Sequence, residues 1–365
     1  MPDETHTAIL TAVSGLGGKQ PAAFLLEAGG VRILFDLGEG PEPGGRPDIT
    51  GVGPVDAIVL SHAHGDHAGA LDLRPRLGNP PVYATAATWA QIRGDAVPEG
   101  DRHLLPLRGE AELLGLPLRT GRDGHAPGGV WIHVGLGEGV LYTGDWTPES
   151  IVFPYDSPPA AALVVTDASY GDRDTGLDEQ AGIIAQEVAA GAVLPVPAAG
   201  RGPELALRLA RLGFRPKLCP VLLAEVEMLA ADTTGLIDAP AREALGTLRR
   251  EGLGEGAMAP TDVVIATTAN AASGTAAALL AREAEGFRFV FTGHVPRGTP
   301  AARLLEAGAA RWLGWNVHPR RRDTLALARD TGARAIVPAF VKPESCTALG
   351  EALGGVLRWD RRTAI

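Results

Sequence analysis

The stretch that most constrains this chain is Ser61-His62-Ala63-His64-Gly65-Asp66-His67, which directly follows the apolar run Ala57-Ile58-Val59-Leu60. An apolar run of that length, set after a loop rich in Gly and Pro, reads as a buried strand whose end delivers the polar cluster to a surface. Extended backbone places His62 and His64 on one side. Gly65 then lets the chain turn, so that Asp66 and His67 fall near the start of a helix expected over 68–74. Three imidazoles and a carboxylate within six residues suit a borderline cation such as zinc. A solvated loop, or two histidines satisfying each other in a core, would account for one such residue but poorly for four.

At 365 residues, 45% of them hydrophobic and 21% charged, the chain can bury one large core or two ordinary ones. No apolar run approaches the ~20 residues that span a bilayer, and segment 1–7 is polar and acidic rather than a leader, so a cytoplasmic protein without a membrane partner is expected. Cys219 and Cys346 lie in no metal-type spacing and read as ordinary buried thiols. The net charge of −10 argues against a protein that coats nucleic acid non-specifically, while leaving room for a local basic groove.

Strands are expected over 9–13, 23–28 and 31–36, with the glycine cluster 14–19, which ends in Lys19, as a flexible loop at the rim of a site. Segments 81–84 and 113–116 read as further short strands, and 88–93 as a weak helix. His125, in Gly-His-Ala-Pro-Gly-Gly, and Asp145, in Tyr-Thr-Gly-Asp-Trp, flank a hairpin that brings the two together. Asp167 ends another apolar strand, and polar residues recurring at strand ends suggest one shared rim. After Tyr170 helices and strands alternate, the pattern of an α/β module with a parallel sheet. Strand ends carrying His return at Val317-His318.

Taken in order, His62, His64, Asp66, His67, His125 and Asp145 resemble the ligand set of the metallo-β-lactamase superfamily. Asp167 in Thr-Asp-Ala-Ser-Tyr-Gly, Ala199-Gly200-Arg201, the run 268–274, the run 292–299 and His318 resemble its β-CASP nuclease branch, which includes RNase J, the pre-mRNA 3′-end endonuclease and the Artemis group. The resemblance covers nearly the whole chain. It implies an αββα metallo-β-lactamase sandwich from 1–172 and 314–365, an inserted β-CASP α/β cap from 173–313, and a site in the cleft between them.

It further implies that His62, His64 and His125 hold one ion, that Asp66 and His67 hold a second, and that Asp145 bridges both. Zinc is the expected metal, with manganese an alternative. A bound divalent ion lowers the pKa of its water from 15.7 to about 7, giving a hydroxide that can attack phosphorus. Asp66, Asp167 and His318 are the implied catalytic groups: His318 protonates the leaving oxygen or binds the phosphate, and Asp167 orients it. Arg201, Ser273, Gly274, Arg297, Gly298 and Thr299 are the implied phosphate contacts.

Two departures stand out. Where the family's RNA enzymes carry a last histidine that completes the second metal's shell, the matching place here is Phe340, so the second site should be weak or empty. The stretch 299–318 is also shorter than in RNase J, and no counterpart of that enzyme's extra C-terminal domain follows Ile365. The expected activity is metal-dependent hydrolysis of single-stranded nucleic acid, RNA ahead of DNA. Alternatives are a DNA-specific nuclease with one firmly bound metal, a catalytically weak nucleic-acid- or partner-binding paralogue, and a small-molecule hydrolase. The oligomeric state is open, with a homodimer as one option.

Overall fold

The computed structural model describes residues 8–42 and 44–364, so the acidic segment 1–7 lies outside the described residues. The chain forms two compact units. The first comprises Met1–Pro148, Tyr155–Asp174 and His318–Ile365; the second comprises Glu149–Pro154 and Thr175–Val317. Sequence reading puts the divisions at 172/173 and 313/314 and does not foresee that the short piece Glu149–Pro154 joins the second unit. Its reason is local: Ser150 Oγ and the Ile151 and Val152 amides donate to the buried Glu204 carboxylate, and Val152 and Phe153 enter that unit's core.

The first unit is two sheets face to face. One runs in the order Arg362–Ala364, Ile9–Ser14, Ala23–Ala28, Val31–Phe35, Ala57–Val59, Val82–Thr85, Arg102–Leu105. The other runs Ala335–Ala339, Leu163–Asp167, Val140–Tyr142, Val130–Val134, Leu116–Arg122, Gly109–Leu113. Side chains alternate across a strand, so the continuous apolar run of Ala57–Val59 serves two cores at once. Ala57 and Val59 pack between the sheets with Phe35, Ile132 and Val165. Ile58 faces outward onto Leu71 and Leu77 of the short helical segment Leu71–Leu77. On the far face Trp131, Leu141, Val164 and Ile336 meet Leu327 and Ala328 of the helix Arg321–Thr331. The layers are therefore helix, sheet, sheet, helix.

Two local expectations change. Segment 113–116 is not a strand but the turn of a hairpin: Leu114 and Gly115 both take positive φ, which joins Gly109–Leu113 to Leu116–Arg122. The helix expected over 68–74 instead begins at Gly65, stops at Ala68, and is followed by a tighter helix around Pro75.

The second unit is a wholly parallel five-stranded sheet in the order Lys217–Leu218, Val263–Ala266, Ala192–Pro195, Phe289–Phe291, Ala310–Trp312. Helices such as Leu177–Glu187, Arg201–Arg211 and Pro220–Ala230 bury Ile184, Leu205 and Val226 with its strands. Cys219 and Cys346 are buried free thiols. Among the described residues, no helix is long and apolar enough to cross a membrane.

Candidate metal centre

The strand Ala57–Val59 runs parallel between Val31–Phe35 and Val82–Thr85, and its C-terminal end carries the histidine motif. His64 keeps extended geometry just before the helix Gly65–Ala68, which turns Asp66 and His67 back toward the strand end. The His125 loop is tied to this motif by the Val130 amide, which donates to Ser61 O at 3.0 Å, and Asp123 accepts from the His125 amide at 2.8 Å. Asp145 arrives through Gly144, whose φ is +56° and where a Cβ would lie 2.5 Å from the Ser61 Cβ. Only glycine allows so close an approach.

The result is a tight cluster. His64 Nδ1 faces both His62 Nε2 and His125 Nε2 at 3.1 Å. One ring nitrogen carries at most one proton, so it cannot hydrogen-bond well to two others at once. Three nitrogens around one ion at 2.0–2.1 Å, by contrast, sit about 3.3 Å apart in tetrahedral geometry. His67 Nε2 approaches Asp145 Oδ1 at 3.2 Å, yet neither atom has a hydrogen-bond partner. Buried lone pairs left in that state are what a cation satisfies. Three groups, His62/His64/His125, His62/His67/Asp145 and His125/Asp145/His318, each hold their ligand atoms within 4.8 Å.

The tautomers follow from a residue that sequence reading passes over. Asp36 ends the strand Val31–Phe35 at φ +57° and is fully buried. It accepts from the Ser61 amide, from Ser61 Oγ and from His67 Nδ1, each at 2.7 Å, and from the Tyr142 hydroxyl at 2.5 Å. A carboxylate only accepts, so His67 Nδ1 carries the proton and Nε2 is left for a ligand. Ser61 spends its hydroxyl proton on Asp36 and so accepts from His62 Nδ1 at 3.0 Å, which frees His62 Nε2 in the same way. The one available signal for Asp36 was an acid closing an apolar strand.

Electrostatics agree with a cation site. Burial and the neighbouring imidazoles His67, His64 and His125 hold His62 well below its usual pKa, the neutral form a metal needs. Burial opposes charge on His67, but Asp145 and Asp36 outweigh it and raise its pKa. Asp145 is held well below the carboxylate range, since His67 and His318 overcome its burial.

His318 Nδ1 donates to Asp167 Oδ2 at 2.7 Å and lies 3.5 Å from Asp145 Oδ2, while its ring stacks on His125 with centroids 5.4 Å apart. Asp167 is itself fixed by the Ser169 amide at 2.8 Å. Asp66 stands apart from the three groups. Its Oδ2 lies 3.4 Å from Lys19 Nζ, and Lys19 with His67 holds its pKa down to about 2 against the effect of burial. The expected phosphate residues all belong to the second unit, on loops that leave the C-terminal ends of its parallel strands. Arg201 Nη1 reaches Thr292 Oγ1 at 3.3 Å, and the Ala301 amide donates to Asn270 O, linking neighbouring loops. Thr299 Oγ1 caps its own helix by accepting from the Ala302 amide, and Ser273 precedes the seven-residue helix that Gly274 opens. Gly298 O accepts from Arg303, and Arg297 is exposed.

The metallo-β-lactamase superfamily family model matches residues 16–192. Ribonuclease TTHA0252 of Thermus thermophilus is 41% identical over 179 residues, 42% of this chain and 41% of that protein. Transcription termination factor FttA of Cenarchaeum symbiosum is 27% identical over 243 residues, 54% of this chain and 38% of that one. Cleavage and polyadenylation specificity factor subunit 2 of Oryza sativa is 40% identical over 81 residues, 21% of this chain and 11% of that one. The match thus spans about two fifths of the length of the first two relatives. A crystal structure of a protein of unknown function from Enterococcus faecalis superposes with a TM-score of 0.59 at 12% identity, covering 99% of this chain and 100% of that one. With the sandwich, the histidine motif and its distant partners in place, the chain resembles the metallo-β-lactamase superfamily over residues 16–192, and the relatives it is similar to fall in the β-CASP nuclease branch.

Proposed function

We propose that the chain is a metal-dependent phosphodiesterase that cleaves single-stranded nucleic acid, RNA in preference to DNA. The observation that carries this reading is the convergence of His62, His64 and His125 nitrogens beside the buried Asp145 carboxylate, with the His318–Asp167 pair at its edge. The names of the ribonuclease and the cleavage and polyadenylation specificity factor among the relatives support the choice of nucleic acid.

His62, His64, His125 and Asp145 would hold a zinc ion, which, when bound, supplies Lewis acidity toward water and a phosphoryl oxygen. The protein does the rest. Asp36 and Ser61 fix the ring tautomers. Asp167 holds the His318 Nδ1 proton, which leaves Nε2 as the end that exchanges a proton with the leaving oxygen. In the second unit, Arg201 and Arg297 with the loops around Ser273-Gly274 and Gly298-Thr299 would engage the sugar-phosphate backbone without reading bases.

The test is cleavage of end-labelled single-stranded RNA and DNA of one sequence, with zinc or manganese and then with excess chelator. Chelator-sensitive cutting, faster on RNA, is expected. No cleavage of either polymer at any metal concentration would rule the proposal out, and faster DNA cutting would reverse its substrate preference.

A further inference from the structure

The expected second ion has poor support from the residues around it. Asp66, its expected ligand, is paired with Lys19 Nζ at 3.4 Å, and Phe340 occupies the place where the family resemblance would put an imidazole. The Phe340 ring packs edge-on against His67, with centroids 5.3 Å apart, and Lys19 Nζ lies 5.5 Å from its centroid. An aromatic face attracts an ammonium through its quadrupole but offers a metal no lone pair.

The loop that carries Lys19 is anchored on both sides. The Phe340 amide donates to Gly15 O at 2.7 Å, and Leu16 bridges to Ala339. Gly15 has φ +95°, and a Cβ there would lie 2.6 Å from the Phe24 ring, so the loop can lie this close only as glycine. Beyond Lys19, the Ala22 amide donates to Asp66 O at 2.8 Å. The same strand end that presents Phe340 therefore holds the lysine loop, and the same turn that presents Asp66 holds the loop's far side.

We propose that Lys19 takes the place of the second metal ion: its ammonium, held by Asp66 over the Phe340 ring, is the fixed positive group that meets a phosphoryl oxygen of the scissile group, and the chain carries one metal. Asp66 is then the counter-ion that aims Lys19 rather than a ligand. An ammonium in this position repels a second divalent cation and donates N–H bonds to developing negative charge, the kind of preorganised stabilisation a second ion would otherwise supply. The substrate role rests on the phosphodiesterase reading above; the metal count does not.

The decisive measurement is the metal-to-protein ratio, by elemental analysis and native mass spectrometry, of zinc-loaded wild type, Lys19→Met and the double variant Lys19→Met/Phe340→His, with circular dichroism to confirm folding. One ion is expected in the wild type and in Lys19→Met, since Phe340 still denies a ligand, and two in the double variant. Two ions in the wild type, or one in a folded double variant, overturn the assignment. With bis(p-nitrophenyl) phosphate, Lys19→Gln should lower kcat roughly a hundredfold at an unchanged ratio of one, and Lys19→Arg should recover part of it. An undiminished kcat in Lys19→Gln overturns the substrate role. A wild type that holds one ion and cleaves no phosphodiester sinks the phosphodiesterase reading and leaves the one-ion count standing.

Discussion

Asp36 touches no expected substrate or ion, yet it sets the protons of two imidazoles, one directly and one through Ser61. Replacing it by Asn keeps an acceptor and puts an amide donor against groups that already donate. Removing such an outer partner weakens metal affinity roughly 10- to 100-fold. In a chelator competition Asp36→Asn should therefore release zinc at lower chelator concentration than wild type, and equal retention would show that the ring nitrogens orient without it. His318 poses a sharper question, because it lies both in a possible ligand group and on Asp167. A proton-transfer role predicts that His318→Ala slows cleavage roughly a hundredfold or more with zinc content unchanged. Loss of zinc would instead make it a ligand.

At the scale of elements, the site is an affair of strand ends. Ala57–Val59, Val140–Tyr142 and Leu163–Asp167 each stop where a polar residue must leave the sheet, and Gly144 permits the closest of these approaches. In the second unit the helix Pro220–Ala230 holds the Gly200 amide through the buried Glu225, at 2.7 Å, just before Arg201. Burial pushes the Glu225 pKa up to about 7, only partly offset by that hydrogen bond. The folded state then keeps a proton that the unfolded chain releases near 4.5, so this group's contribution to stability falls as pH rises from about 4.5 to about 7, at up to about 1.4 kcal/mol per pH unit. Glu225→Gln retains the acceptor for Gly200 and removes the titration. Its Tm should drop less than that of wild type between pH 5 and pH 8, and an identical drop would place the pH dependence elsewhere.

For the whole molecule, a cation that binds only the folded chain stabilises it by mass action, about 2.7 kcal/mol at a free concentration a hundred times Kd. Chelator should lower Tm, and zinc in excess should restore it. Acid should act in the same direction as chelator: the imidazoles of His62, His64 and His125 can hold the ion only while unprotonated, so apparent affinity falls as pH is lowered. A calorimetric series from pH 8 to pH 5 checks the sign, and affinity that rises toward acid would exclude these imidazoles as ligands.

That His62, His64 and His67 would lie close together could be read from spacing alone, because they sit on one strand end and one helical turn where local geometry settles which way side chains point; Asp66, read with them, lies apart against Lys19. Whereas the sandwich was expected only from the family resemblance of the histidine and aspartate motifs, the parallel module was legible for a similar reason, since helix–strand alternation is a short-range pattern. Asp36 and Lys19 were not, since a single acid after a strand and a single lysine in a glycine loop look like countless others until the chain closes on itself. Phe340 was noticed as a missing ligand, but that a lysine 321 positions earlier stands over its ring could not be. Local preference chooses each element and the face it offers; which distant charge comes to rest against which carboxylate depends on sheet pairing and loop closure, and those interactions join residues hundreds of positions apart.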